Sequence, residues 1–249
     1  MAHFKAQESV IAVCIQEPVE EGSSLNLGAI KGDRLRFLHQ AMITDTIVSC
    51  LSVDGVDVRL YHADDSDRSR LVGIISDYLQ TKMSGPRAEY FKKHFSCYAL
   101  EKATWGKRIQ HVFAECFKQG YKNVLVIGSR TPTVTPAMMQ RALRMLKECD
   151  VVFGPTPEGR YYIIGMSGEL QVDMSAFNWK SPAIYSDITE AFNEKDLAWS
   201  ELEIWYCIES MDEIEMMVRD INQYRFEGNE ETARETEVVM ERILARLEP

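Results

Sequence analysis

No stretch of the chain approaches the roughly 18 consecutive apolar residues of a membrane-spanning helix, and Met1 to Gln7 contains no apolar core of signal-peptide type. These two absences lead to the expectation of a soluble, cytoplasmic protein. The six cysteines, Cys14, Cys50, Cys97, Cys116, Cys149 and Cys207, form no C-x-x-C pair. That spacing argues against a disulfide framework or a thiolate metal site and leaves buried free thiols as the expected state. The five histidines are equally dispersed, with no H-x-x-x-H or H-E-x-x-H pattern to make a metal site. Basic charge is scarce: 28 Lys and Arg face 38 Asp and Glu, a formal charge of −10. Such a surface repels phosphate backbones and anionic lipid at long range, so neither nucleic acid nor membrane is an expected partner.

What is present is a chain of 249 residues, 45% hydrophobic, enough for a continuous core. No repeat, low-complexity tract or linker divides it, and one domain over residues 1–249 is expected, with C-terminal helices from about 212. Ser9 to Ile15 is a continuous apolar run, the mark of a strand buried on both faces. Val56 to Tyr61, Phe95 to Leu100, Tyr121 to Ser129, Val151 to Phe153, Tyr161 to Met166 and Glu203 to Ile208 read as the further strands. Between them, apolar residues recur at helical spacing from Leu35 to Ile47, from Asp67 to Gln80 and from Trp105 to Phe117, where Gly120 supplies a terminator. Thr135 followed by Pro136 reads as a helix cap and first turn. Asp212 to Tyr224 and Glu230 to Leu247 read as charged amphipathic helices. Alternation of strands and helices specifies an α/β fold, a three-layer α/β/α sandwich with a mostly parallel, mixed sheet.

Two segments carry the functional signal. Asn123-Val124-Leu125-Val126-Ile127-Gly128-Ser129-Arg130-Thr131-Pro132 is a buried strand running into a Gly-Ser turn with a charge at its lip. In an open α/β sheet that lip is where ligands sit. Val151 to Gly165 repeats the arrangement as strand, Gly/Pro loop and strand, with Glu158, Gly159 and Arg160 in the loop. Together these segments resemble the bacterial glycosyltransferase-like family of nucleotide-diphospho-sugar transferases, which have the Rossmann-like glycosyltransferase-A fold. Family members show G-S-D-x-P and V-x-G-P-x-x-D-G-G-Y-Y-L-x-G at these places. The first Asp is Arg130 here, the second is Glu158, and the Gly-Gly pair is Gly159-Arg160.

The resemblance runs from about Val10 to about Ile214 and implies a site at the carboxyl ends of the first, fourth and fifth strands. It places a basic, Gly-containing diphosphate loop after the first strand, where this chain has Cys14-Ile15-Gln16-Glu17-Pro18-Val19-Glu20-Glu21-Gly22 and then Ser24-Leu25-Asn26-Leu27. Gln16 stands for the family's lysine, and Glu17, Glu20 and Glu21 make the loop acidic. An acidic pair near the last strand becomes Cys207 and Glu209. Gly106-Lys107-Arg108, the Asp45-Thr46 pair and Asn178-Trp179-Lys180-Ser181 stand where the family has L-G-x-R, D-T and W-S segments.

By this correspondence Gln16, Lys107, Arg108, Ser129, Arg130 and Arg160 are the candidate substrate-binding residues, and the ligand implied is a nucleotide or nucleotide sugar. Glu158 is the first candidate for a general base and Glu209 the second. The family implies Mg²⁺ or Mn²⁺, but an arginine cannot coordinate a cation, and no metal ligand is expected here. Two physical readings stand. In one, Arg130 and Arg160 replace the metal by offering fixed charge to phosphate oxygens. In the other, Arg130 pairs with Glu158, the cleft closes, and the fold serves as a non-catalytic binding or scaffold protein, a homo-oligomer through its Met-rich, acidic C-terminal helices.

Overall fold

A computed structural model describes residues 7–15, 25–63, 73, 77–78, 81, 85–100, 103–169 and 171–245. Seven strands form one sheet: β1 (Ser9–Cys14), β2 (Val56–Ala63), β3 (Phe95–Leu100), β4 (Asn123–Gly128), β5 (Val151–Pro155), β6 (Tyr161–Ser167) and β7 (Trp199–Glu201). Their order is β3-β2-β1-β4-β6-β5-β7. Only β6 runs against its neighbours, and it does so because the short Thr156–Arg160 turn can join β5 and β6 only as an antiparallel pair. All other pairings are parallel.

Among the described residues the helices with described bounds are α1 (Asp33–Leu51), α2 (Pro86–His94), α3 (Trp105–Lys118), α4 (Pro136–Met145), α5 (Ile184–Glu194), α6 (Met211–Phe226) and α7 (Arg234–Leu244). Successive side chains of β1 go to opposite faces of the sheet. Ile11 and Val13 join a cluster with Ile43 and Ile47 of α1 and Met139 of α4. Val10 and Ala12 join a second cluster with Phe113 of α3 and Ile188 of α5. These two clusters make the middle of a three-layer α/β/α sandwich. A third cluster, with Leu38 and Met42 of α1 against Met217 of α6 and Met240 of α7, covers the outer side of α1. That is why α1 is apolar around much of its circumference: it lies between the sheet and the C-terminal helix pair.

Most expected elements stand where the patterns put them. Gly120 follows the end of α3 with φ +92°, the left-handed conformation expected of a helix terminator. The Thr135 hydroxyl accepts the Met138 N–H at 3.3 Å, with Pro136 at the first helical position. The helical pattern of Asp67 to Gln80 falls almost entirely outside the described residues. Two readings are corrected. Glu203 to Ile208 is not the last strand; β7 precedes it. Beyond Gly154 the β5 register shifts, and Pro155 has no N–H to continue a ladder. The chain therefore leaves the sheet with single backbone bonds, Trp205 N–H to Pro155 O at 3.1 Å and Ile208 N–H to Arg130 O at 2.9 Å. The last helix starts at Arg234 rather than Glu230, because Ala233 is left-handed at φ 57°. Among the described residues no helix is long and apolar enough to cross a membrane.

Candidate functional site

The strand order reverses between β1 and β4: β2 and β3 lie on one side, β6, β5 and β7 on the other. This is the topological switch point, where the carboxyl ends of an open sheet leave a crevice. β4 ends there in Gly128-Ser129-Arg130. The Thr131 hydroxyl donates to the Gly128 carbonyl at 2.9 Å, and the Arg130 carbonyl accepts from Ile208, so the turn is held from two sides. A side chain at Gly128 would meet no described atom within 4 Å.

The opposite wall is the β5–β6 turn. Thr156 N–H donates to Arg160 O at 3.0 Å, and Arg160 N–H donates to the Thr156 hydroxyl at 3.2 Å. Gly159 takes φ +71° at the tip, and a Cβ there would lie 2.8 Å from the Pro182 carbonyl oxygen. This tight turn aims Arg160 inward and leaves Glu158 exposed. Arg160 Nη1 donates to both oxygens of Glu209, at 2.8 and 2.6 Å. Glu209 is fixed in turn: its carbonyl accepts from Asn26 N–H at 2.6 Å, and the next residue, Ser210, forms a capping box with Glu213 that starts α6.

Gly128, Arg130, Arg160, Cys207, Glu209 and Tyr161 border a cavity of about 70 Å³. Trp105 and Trp179 complete it on the α3 side. Trp105 donates its indole N–H to the Tyr161 hydroxyl. Trp179 packs edge-on to Tyr161 with ring centres 5.1 Å apart and donates to the Met174 carbonyl at 2.8 Å. Gly106 permits this packing, since a Cβ would sit 2.4 Å from the Trp179 indole nitrogen. Burial pushes the Cys207 thiol up to about 12, Glu209 and Glu158 adding to the effect while Arg130 and Arg160 oppose it. Cys207 is therefore a protonated thiol that donates to the Tyr161 carbonyl at 3.5 Å.

The candidate residues separate into two groups. Arg130, Arg160 and Glu209 line one cavity. Ser129 is fully buried, and its hydroxyl is 3.1 Å from His39 Nε2 of α1. His39 is held well below its usual range, at about 3, by burial and then by the Arg130 charge. It is a neutral hydrogen-bonding ring. Lys107 is exposed on α3 and Arg108 is buried beneath it, neither lining the cavity. Gln16 lies outside the described residues. His39 carried no sequence signal: a lone histidine in a helical pattern becomes informative only when the fold brings Ser129, 90 residues away, against it.

Among the described residues the donors do not suit the divalent cation that the fold family implies. A hard cation needs several oxygen ligands, but the β4 position holds Arg130, Glu158 points to solvent, and the Glu209 carboxylate is engaged by Arg160. Among the described residues no group of three or more His, Cys, Asp or Glu side chains is placed to hold a metal ion.

This sheet order and crevice define an α/β protein of the nucleotide-diphospho-sugar transferase fold. It belongs to the family described as "Uncharacterized protein conserved in bacteria (DUF2064)", whose model matches residues 47–181 and so spans both motif segments. The chain is similar to a Desulfovibrio desulfuricans G20 protein described provisionally as a nucleotide-diphospho-sugar transferase. That likeness has a TM-score of 0.76 at 20% identity over 96% of each chain. It is also similar to 4-diphosphocytidyl-2C-methyl-D-erythritol synthase of Anaerococcus prevotii DSM 20548, with a TM-score of 0.50 at 12% identity over 86% of this chain and 97% of that one. At these identities the likeness is one of fold. No curated protein sequence matches the chain.

Proposed function

We propose that this chain keeps the nucleotide-diphospho-sugar transferase scaffold without its metal-dependent transfer chemistry. The observation that carries the reading is the Arg160–Glu209 pair. Two positions at which the resembling family has a glycine and a carboxylate are occupied here by a cation and an anion that bind each other. A carboxylate held by a guanidinium is a poor cation ligand, and a guanidinium held by a carboxylate has little charge left for a diphosphate. Arg130, Arg160 and Glu209 thus bring charges of both signs to the cavity lining.

A second reading, a metal-free nucleotide site, is supported by Arg130 and Arg160 lining the same cavity beside Gly128. In that reading the arginines take the phosphates, and Glu158 and Glu209 are the candidate bases. A thermal-shift screen of nucleoside diphosphates and nucleotide sugars, each with and without Mn²⁺ or Mg²⁺, separates the two, because any ligand of the native state alone raises the melting temperature. The first reading expects no shift that requires the metal and no turnover with it. A metal-dependent shift accompanied by donor hydrolysis would overturn it.

A further inference from the structure

We propose that the groove between α1 and α7 binds a small amphipathic organic anion, a carboxylate on an extended apolar body, with Arg34 and Arg242 receiving the charge. This groove shares no lining residue with the cavity at the β4 turn, so the proposal is independent of how that crevice is read.

The packing of the two helices creates the groove and gives it a direction. Asp45, well along α1, caps the start of α7 at Thr236. Arg34, in the first turn of α1, lines the same groove as Arg242, in the last turn of α7. The helices are therefore antiparallel. Arg34, Phe37, Ala41 and Thr44 recur at helical spacing on one stripe of α1, and Glu235, Val239 and Arg242 do so on α7. The adjoining stripes, with Leu38 and Met42 against Met240, are packed together and hold the two helices in place.

The groove encloses about 380 Å³, within the range of small-molecule sites. At the helical rise, Arg34 to Thr44 spans about 15 Å, which suits an elongated ligand. Ala41 and Ile243 are buried and make its floor, while Phe37, Tyr78 and Val239 make its walls. Phe37 is 49% exposed, so an apolar body lying along it removes a large ring from water.

Charge decides which apolar molecule fits. Arg34 and Arg242 stand at one end of the groove and Glu235 at the other. Arg36, next to them on α1, is held by Asp33 at 2.9 Å. Among the described residues no hydrogen bond or ion pair engages Arg34 or Arg242. A guanidinium pair without a carboxylate partner matches a ligand carboxylate through charge-assisted hydrogen bonds. Glu235 repels the same group, so the ligand lies with its anionic end between the arginines and its apolar end toward Thr44. A neutral apolar molecule leaves both guanidinium groups unused, and an organic cation is repelled by them.

Titration calorimetry with octanoate, octan-1-ol and octylammonium tests this on the unaltered protein. Octanoate should bind at one site, octan-1-ol about tenfold more weakly for want of the charge-assisted contact, and octylammonium not measurably. Hexanoate should bind more weakly than octanoate by about three- to fourfold for each CH₂ removed. The double variant Arg34→Gln with Arg242→Gln should bring octanoate down to the level of octan-1-ol. Ala41→Leu and Val239→Trp fill the groove from either helix, and each should abolish binding of both compounds; two filling variants are made so that at least one melts cooperatively. The proposal is overturned by octanoate binding no tighter than octan-1-ol, by its absence from the unaltered protein, or by its persistence in the double variant or a folded filling variant. A dimer detected by sedimentation that Val239→Trp dissociates and octanoate does not would assign the groove to a second copy of the chain, and would overturn it as well.

Discussion

Asp45 of α1 accepts the backbone N–H of Thr236 at 2.7 Å and that of Glu235 at 3.1 Å, and so caps the start of α7 from 190 residues away. Ala233, at the helix's own cap position, has no side chain to do this. The cap is 2% exposed. Burial raises its carboxyl from about 3.8 to about 7 against the opposing effect of these hydrogen bonds, with Glu235 adding a like charge. A folded-state value above the unfolded one means the native protein binds the extra proton. Stability is then greatest below about pH 4 for this group and falls as pH rises toward about 7. Asp45→Asn removes the titration and keeps one acceptor. Relative to that variant, the unaltered protein should lose on the order of 1 kcal/mol per pH unit between about pH 5 and 7, read from urea unfolding at half-unit steps. A difference that stays constant with pH, or runs the other way, would refute the assignment.

What the sequence reveals and what it hides divide along the same physical line. β1 and β4 are continuous apolar runs, and α3 carries its apolar stripe at helical spacing; both are local patterns tied to burial, and both are legible. The turn containing Gly159 is legible for the same reason, since it must reverse a chain between two strands. β7 is not, because three residues are too few to show a period, and α2 is announced only by Gly85 and Pro86. The contacts that define the cleft are hidden altogether. Arg160 meets Glu209 across 49 residues, and His39 meets Ser129 across 90. Sequence reading identifies Arg160 and Glu209 as unusual residues at resembling positions, yet it does not pair them, because no local rule states which carboxylate faces which guanidinium.

Calorimetric titration of Mn²⁺ into the protein should show negligible specific heat. The ligand that the fold family supplies from β4 is Arg130 here, and among the described carboxylates of the cleft Glu158 is exposed and Glu209 is held by Arg160. A micromolar Mn²⁺ site that disappears in Glu158→Ala or Glu209→Ala would contradict this.

Gly159→Ala should destabilise the β5–β6 turn through both its backbone and a steric contact. Its φ of +71° lies in the left-handed region, and the added Cβ would meet the Pro182 carbonyl oxygen at 2.8 Å. The backbone conformation alone costs about 1–2 kcal/mol, and the steric contact adds to it. Gly168→Ala is the control: it has φ +77° and no described atom within 4 Å of the new Cβ. Urea unfolding should show both variants destabilised, Gly159→Ala by the larger amount. Equal losses would mean that the turn shifts away from Pro182 at no cost.

Restoring the family's residues, Arg130→Asp with Arg160→Gly, should not by itself create transferase activity. The double variant removes two cations from the cavity and adds one carboxylate beside Glu209, which then loses its partner. A recovered cation could bridge these carboxylates. The donor's diphosphate must also be held, and the loop after β1 offers Gln16, Glu17, Glu20 and Glu21 where the resembling family has lysine and arginine. Each of those glutamates repels a diphosphate, and neither Ser24 nor Asn26 supplies a compensating charge. The donor should therefore bind weakly even with Mg²⁺ present, so the metal site is not the limiting defect. The measurement is sugar transfer and donor hydrolysis across a panel of nucleotide sugars, with the unaltered protein alongside. Turnover by the double variant, absent from the parent, would show that the acidic loop does not limit donor binding and that the diphosphate lies elsewhere in the cleft.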